Sequence, residues 1–323
     1  MLNKIDYKIL SELDSNARES YSEIARTIGT SKQVVSTHVE YLLKEGHIKK
    51  FLTILDLSKM GLTLHKVYLR LLRASEKDEL EIISFLKEHK NVTWLVRTEG
   101  IYDIAIAFHT LSINELNEIL LELENKFGKF ISEKVVNRVI TGEFFHRDYL
   151  SDEKTTSRKK TIFQTYSVPF KFDDTDLKIL AGLARDSRKS AVDISEKLKI
   201  GPDAVGKRIK ILEKEGIIQN YILVLDSEKM EMLHYKVLMR VGNFTQEIEK
   251  KLLDFCKKNK NITFYNKGIG SWEIEIDLEV KNSVEFRSIM RDLKQKFADS
   301  IKEYFSLMVY EIAKFDFLPM HKF

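Results

Sequence analysis

The sequence predicts an α+β protein built as two tandem units. Each unit is a helix-turn-helix domain, winged or plain, followed by a ferredoxin-like β-α-β-β-α-β domain. Three observations predict it. The chain answers itself at a fixed offset of 170 positions: Asp6 matches Asp176, Arg18 matches Arg188, Lys44-Glu45-Gly46 matches Lys214-Glu215-Gly216, and Lys66-Val67 matches Lys236-Val237. The register holds to Phe127 and Phe297, so the repeat is a duplicated unit the size of a domain pair. Each copy opens with three short stretches at helical spacing, and then switches to alternating apolar stretches between longer helical ones.

The first copy justifies each element in order. Ile9, Leu10 and Leu13 share one helical face, and Ile24, Ala25 and Ile28 a second, with Gly29 as a stop. Ser31 caps a third helix whose Val35, Val39 and Leu42 point inward, and Gly46 ends it. In the second copy Gly201 takes the cap position, with Pro202 in the first turn where its missing N–H costs nothing. Three helices with a tight turn before the third read as a helix-turn-helix. His47 to Leu57 and Ile217 to Asp226 read as a wing or a connecting strand. A strand follows at Leu64 to Leu72 and a helix at Glu76 to Glu88. Val92 to Thr98 and Tyr102 to Phe108 form a hairpin around Gly100. Ile113 to Phe127 is a helix, and Lys129 to Phe145 holds a last strand. Helices cover one sheet face; a second copy of the domain is the obvious cover for the other. The domains predicted are 1–47, 48–147, 173–217 and 218–323, joined by a linker at 148–172 that carries Lys154, Arg158, Lys159 and Lys160.

Composition excludes several classes. The 323 residues are 43% hydrophobic and 32% charged, ordinary for a globular protein. A net charge of +4 permits a nucleic-acid partner without requiring one. The single Cys256 allows no intramolecular disulfide and no cysteine-based zinc site, and the eight histidines lack ligand spacing. No metal or cofactor is expected. No apolar run approaches the length of a membrane span, and no signal peptide precedes the first helix, so a cytoplasmic protein away from membranes is expected.

The order of elements, together with Gly100-Ile101-Tyr102-Asp103-Ile104, Asn16-Ala17-Arg18 and Lys44-Glu45-Gly46-His47-Ile48, resembles the Lrp/AsnC family of feast/famine transcription regulators. The second copy joins the resemblance through Asp186-Ser187-Arg188 and Glu215-Gly216-Ile217-Ile218. Fusing two units in one chain is unusual for that family. The resemblance implies binding of double-stranded DNA by the third helix. It also implies sensing of an amino acid or similar small metabolite near the hairpin.

The residues are read alongside it. Ser31, Lys32, Gln33, Ser36, Thr37 and His38 of the first copy, and Lys207, Arg208 and Lys210 of the second, fall off the inward face. These types donate to phosphates and base edges, or form a solvated face. Glu40 and Asp203 are unfavourable beside phosphate. Gly206, in mid-helix, costs about 1 kcal/mol against alanine, which points to a close backbone approach or a decaying helix. For an effector the candidates are Gly100, Tyr102, Asp103, Gly270, Trp272 and Glu273. The hairpin glycines also serve simply as turn residues, and the second hairpin, with Trp272-Glu273 for Tyr102-Asp103, would take a different ligand or none. The units pair as an intramolecular pseudo-dimer or across a homo-oligomer.

Two other readings share the architecture. One is an enzyme resembling siroheme decarboxylases; their hairpin strands carry a histidine, whereas Val92-Thr93-Trp94-Leu95-Val96 and Ile262-Thr263-Phe264-Tyr265-Asn266 do not. The other is a DNA-free small-molecule sensor, which the cations of the second recognition helix oppose.

Overall fold

The structure is a computed structural model that describes residues 2–151, 161–166 and 168–319. The four linker cations at Lys154, Arg158, Lys159 and Lys160 lie outside the described residues.

The first unit opens with α1 (Lys4–Ser15), α2 (Tyr21–Ile28) and α3 (Lys32–Lys44). Asn3 and Asp6 close a capping box at the start of α1, Ser20 and Ser31 cap α2 and α3, and Gly29 ends α2 at φ +72°. Strand β1 (Ile48–Leu55) follows, then β2 (Thr63–Leu71), α4 (Glu76–Glu88), β3 (Val92–Glu99), β4 (Ile104–Thr110), α5 (Ile113–Phe127) and β5 (Ile131–Phe144). The predicted linker contains a one-turn 3-10 helix, Asp148–Leu150, and a short strand β6 (Thr161–Phe163) paired with the end of β5. The second unit repeats the series as α6 (Asp174–Arg185), α7 (Ala191–Leu198), α8 (Pro202–Lys214), β7 (Ile218–Leu225), β8 (Leu233–Val241), α9 (Gln246–Lys258), β9 (Ile262–Ile269), β10 (Ile274–Val280), α10 (Ser283–Lys296) and β11 (Ile301–Phe315).

The strands after the third helices are ribbons joining the copies. β1 pairs antiparallel with β7, and Leu52 lies opposite Ile222, its own counterpart in the repeat. A local two-fold axis therefore passes through this pair.

The strands that follow in each unit make an antiparallel four-stranded sheet, β5-β2-β4-β3 in the first and β11-β8-β10-β9 in the second. β3 pairs with β11, and β5 pairs with β9. The two sheets thus close on each other as an eight-stranded ring, which leaves no free strand edge in it. Both units belong to one chain, so the face left bare by α4 and α5 is covered by the second copy.

Separate apolar cores follow from this layout. Ile82, Leu86, Leu116 and Leu123 pack under the first sheet's helices, and Leu252, Cys256, Ile289 and Leu293 under the second's. Tyr68, Tyr102, Trp272, Leu238 and Leu307 fill the space between the sheets. A fourth core joins the six N-domain helices to the β1–β7 ribbon and to Phe317 and Leu318 of the C-terminal segment. Among the described residues, no helix is long and apolar enough to cross a membrane.

Candidate nucleic-acid interface and a chamber between the sheets

In the third helices, Val35, Val39 and Leu42 of α3, and Val205, Ile209 and Leu212 of α8, are buried as their spacing requires. Lys32, Gln33 and Thr37 of α3, and Lys207 and Lys210 of α8, are exposed. Ser31 spends its hydroxyl on the Val34 N–H as the α3 cap, and Ser36 donates to Glu40 at 3.1 Å. Gly206 has no protein atom within 4 Å of where a Cβ would stand, so no neighbour in the chain requires glycine there.

Two of the predicted donors are engaged inside their own domains. His38 Nδ1 lies 2.7 Å from Asp6 Oδ1, tying α3 to α1. At the equivalent place Arg208 donates to Asp176 at 2.8 Å and to Asp173 at 2.7 Å, tying α8 to the start of α6. The two copies keep one lock with different side chains. The carboxylates hold the Arg208 guanidinium even more firmly charged than usual.

The two helix-turn-helix domains are bound to each other by reciprocal contacts. Arg18 donates to the carbonyls of Ser187 and Lys189, and Arg188 donates to those of Ala17 and Glu19. The guanidiniums also stack over aromatic rings of the ribbon, Arg18 on Tyr221 at 5.1 Å and Arg188 on Phe51 at 5.4 Å. Backbone bonds repeat the pattern: Ala17 N–H donates to Tyr221 O, and Ser187 N–H to Phe51 O. These links present α3 and α8 as a fixed pair.

Of the predicted hairpin residues, Tyr102 and Trp272 meet between the sheets. Gly100 has φ +147°, and a Cβ there would stand 3.0 Å from Ser306 O on β11; Gly270 has φ +152°, and its Cβ would stand 2.9 Å from Val136 O on β5. Each hairpin therefore rests on the last strand of the other unit. Asp103 accepts the Leu71 N–H at 2.6 Å, and Glu273 accepts the equivalent Val241 N–H at 2.7 Å. Tyr102 and Trp272 are buried, with ring centroids 6.2 Å apart and Tyr68 against both. The indole N–H of Trp272 donates to Glu275 at 2.8 Å.

Beyond this aromatic layer the interior turns charged. β10 carries Glu275, Asp277 and Glu279 on its inner face, where the equivalent positions of β4 carry Ala105, Ala107 and His109. Lys66 of β2 reaches across to Glu275 at 2.7 Å, because its own unit offers no acid there. Lys236, on β8, pairs with Asp277 at 2.8 Å, and His234 adds a contact to the same carboxylate at 3.1 Å. Arg147 bridges Glu279, at 2.9 Å, to Asp14 of α1, at 2.8 Å.

Burial pushes the Lys66 ammonium down from its ordinary value, against the pull of Glu275. Burial also works to raise the three β10 carboxylates. The neighbouring cations outweigh it and hold all three below the usual carboxylate range. Beside these pairs lies a chamber of about 100 Å3 lined by Lys66, Lys236, Trp94, Ala107, Phe144 and Phe264, among others. The end nearest the N-domains is formed by Val224 and Leu225 of β7 and by Phe315 and Phe317. None of its charged residues was singled out as a site in the sequence. The signal was present in three acids alternating with Ile276 and Leu278 in a strand otherwise apolar.

The winged helix-turn-helix DNA-binding family matches residues 2–49 and 172–219, once per copy. An uncharacterized HTH-type transcriptional regulator of Pyrococcus furiosus is 33% identical over 129 residues, spanning 40% of this chain and 84% of the relative. The regulatory protein AsnC of Haemophilus influenzae is 30% identical over 119 residues, spanning 37% of this chain and 79% of the relative. This chain belongs to the Lrp/AsnC family of transcriptional regulators. Within the family it is a tandem form, a transcriptional regulator with two helix-turn-helix DNA-binding domains. In overall fold this Lrp/AsnC protein is also similar to the siroheme decarboxylase NirDL, with a TM-score of 0.62 over 99% of this chain and 95% of the other, at 12% identity. That likeness is one of fold.

Proposed function

We propose that this regulator reads its operator with two unlike recognition helices held as one body, and that its paired sheets sense a small metabolite. The observation that carries the DNA reading is the reciprocal Arg18 and Arg188 bridging, which fixes α3 and α8 relative to each other. Lys32, Gln33, Ser36 and Thr37 from one helix, and Lys207 and Lys210 from the other, supply the donors to phosphates and bases, with Ser31 at the helix start. His38 and Arg208 act by seating their helices. The effector side rests on the family and on the two hairpins, which carry Gly100, Tyr102 and Asp103 in one unit and Gly270, Trp272 and Glu273 in the other, and whose Tyr102 and Trp272 meet across the interior. A DNA partner makes the cytoplasm its place of work.

The test is a DNA-binding titration across salt. Lys207→Ala with Lys210→Ala should weaken binding and flatten the salt dependence by about one unit per lost phosphate contact. Arg208→Ala should instead lower the stability of the second N-domain. Unchanged affinity and slope in the double lysine variant would remove α8 from the interface.

The fold likeness to NirDL keeps an enzymatic reading in view, and His109 and His234 do line the chamber. The chamber argues against it, because about 100 Å3 is far too small for a tetrapyrrole. Anaerobic incubation with siroheme should leave the absorption spectrum unchanged, and clear turnover would replace the regulator reading.

A further inference from the structure

We propose that the chamber between the two sheets is a binding site for a short-chain organic carboxylate, with its carboxylate on Lys66 and Lys236 and its carbon body against the aromatic wall. This names the ligand class for the sensing part of the reading above, at a place other than the hairpins.

Four observations carry it. Lys66 and Lys236 are buried, and each Nζ stands 5.1 Å from the Trp94 ring centroid, one from each unit. The two ammoniums thus stand over one ring, each also paired with one carboxylate of β10. An ammonium has three N–H donors, and each of these has one carboxylate partner among the described residues. Both line the chamber, so donor capacity converges on it.

The second observation is asymmetry. Of these two equivalent strands only β10 carries acids on its inner face, and the equivalent positions of β4 hold Ala105, Ala107 and His109. The lysines are held by carboxylates from the second unit, while Ala107 of the first leaves room on the other side. An entering carboxylate approaches from the alanine side without displacing Glu275 or Asp277.

The wall supplies the third. Trp94, Phe144, Phe163, Phe264, Phe315 and Phe317 line the space, and Phe144 makes ring contacts with four of them. An inorganic anion gains nothing from such a wall, whereas an alkyl body does. Size is the fourth. A cavity of about 150 Å3 takes a benzene ring, and a water occupies about 30 Å3 of liquid. At about 100 Å3 the chamber suits three to five carbons and excludes an aromatic acid.

The amine of an amino acid would have to be met by Asp277 or Glu279, both already engaged by Lys236, His234, Arg147 and Tyr149. The site is therefore selective for the simple carboxylate over the amino acid of the same length.

Calorimetric titration of the full, DNA-free chain with sodium butyrate decides the matter, with Trp fluorescence as a second readout because Trp94 forms the wall. Saturable binding of butyrate is expected, with none for butylamine, sodium chloride or sodium benzoate. Two variants locate it. Lys236→Met should abolish binding. Because it strands Asp277 and could impair folding, Ala107→Leu is the second variant: it fills the chamber without touching charge and should weaken butyrate binding at least tenfold in a protein that still melts cooperatively. No saturable butyrate binding, equal binding of butylamine or benzoate, or undiminished binding in a folded Ala107→Leu protein would each overturn the assignment. Since no DNA is present, failure of the operator reading leaves this result intact, and failure here leaves DNA binding intact.

Discussion

Arg188 occupies in the second copy the place of Arg18 in the first, and each crosses the local two-fold axis to donate to backbone carbonyls beside the other. Arg18 bonds Lys189 O at 2.9 Å, and Arg188 bonds Ala17 O at 2.6 Å and Glu19 O at 3.1 Å. A hydrogen bond from a charged donor contributes about 1.5–3 kcal/mol net. Arg18→Ala with Arg188→Ala should therefore loosen the N-domain pair, seen as earlier amide exchange in β1 and β7. It should weaken binding to a two-half-site operator more than to an isolated half-site. Equal losses on both DNAs would show that the arginines do not set the spacing of the helices.

Gly206 gives a second expectation. With open space where its Cβ would stand, alanine at this mid-helix position should raise stability by about 1 kcal/mol. If the glycine admits a DNA backbone, operator affinity should fall at the same time. Denaturant titration and DNA binding of Gly206→Ala, measured together, check this; a stabilised protein with undiminished affinity would reduce Gly206 to an uncorrected weakness in the helix.

Acid should lower the stability of the protein over two pH ranges. Burial, aided by the nearby Arg138, pushes His65 down to about 4 from an ordinary 6.5. The unfolded chain then takes up the proton first, so stability is full above about 6.5 and falls as pH drops towards 4, by up to about 3 kcal/mol from this group. Asp14, Glu275, Asp277 and Glu279 are held below their ordinary 3.8 and 4.5. Their contribution is present above those values and is lost below them, as protons bind the unfolded chain first. Urea midpoints at a series of pH values should decline from pH 6.5 downward and steepen below about 4.5. His65→Gln should flatten only the upper part, and stability that rises between pH 7 and 4 would contradict the account.

Much of this fold is legible in the sequence because its signals are local. The periodicity of Glu76 to Glu88 and of Ile113 to Phe127 gives both helix bounds, and Val35, Val39 and Leu42 face inward as their spacing demands. What links the copies is not local. The stretches expected to be wings or connecting strands pair with each other, since an apolar run such as Ile218–Leu225 shows only that it is buried, not against what. The predicted linker holds β6 for the same reason.

At the site, residue type ranks poorly against geometry. His38 and Arg208 have the chemistry of DNA donors, yet each has an aspartate one helix away. Asp103 and Glu273 have the chemistry of an amine ligand, yet each accepts a backbone N–H. Lys66 and Lys236 were visible as a repeated pair, but a lysine in a strand gives no sign that it points into a closed ring.

The most direct test of the central claim is selection of bound sites from random double-stranded DNA by the full chain. Two recognition helices that differ at nearly every outward position, held in one fixed pair, should enrich two half-sites of unlike sequence. Their centres should lie about one helical turn, roughly 34 Å, or a multiple of it apart. A short perfect palindrome bound by a single chain, or no enriched sequence at all, would contradict it.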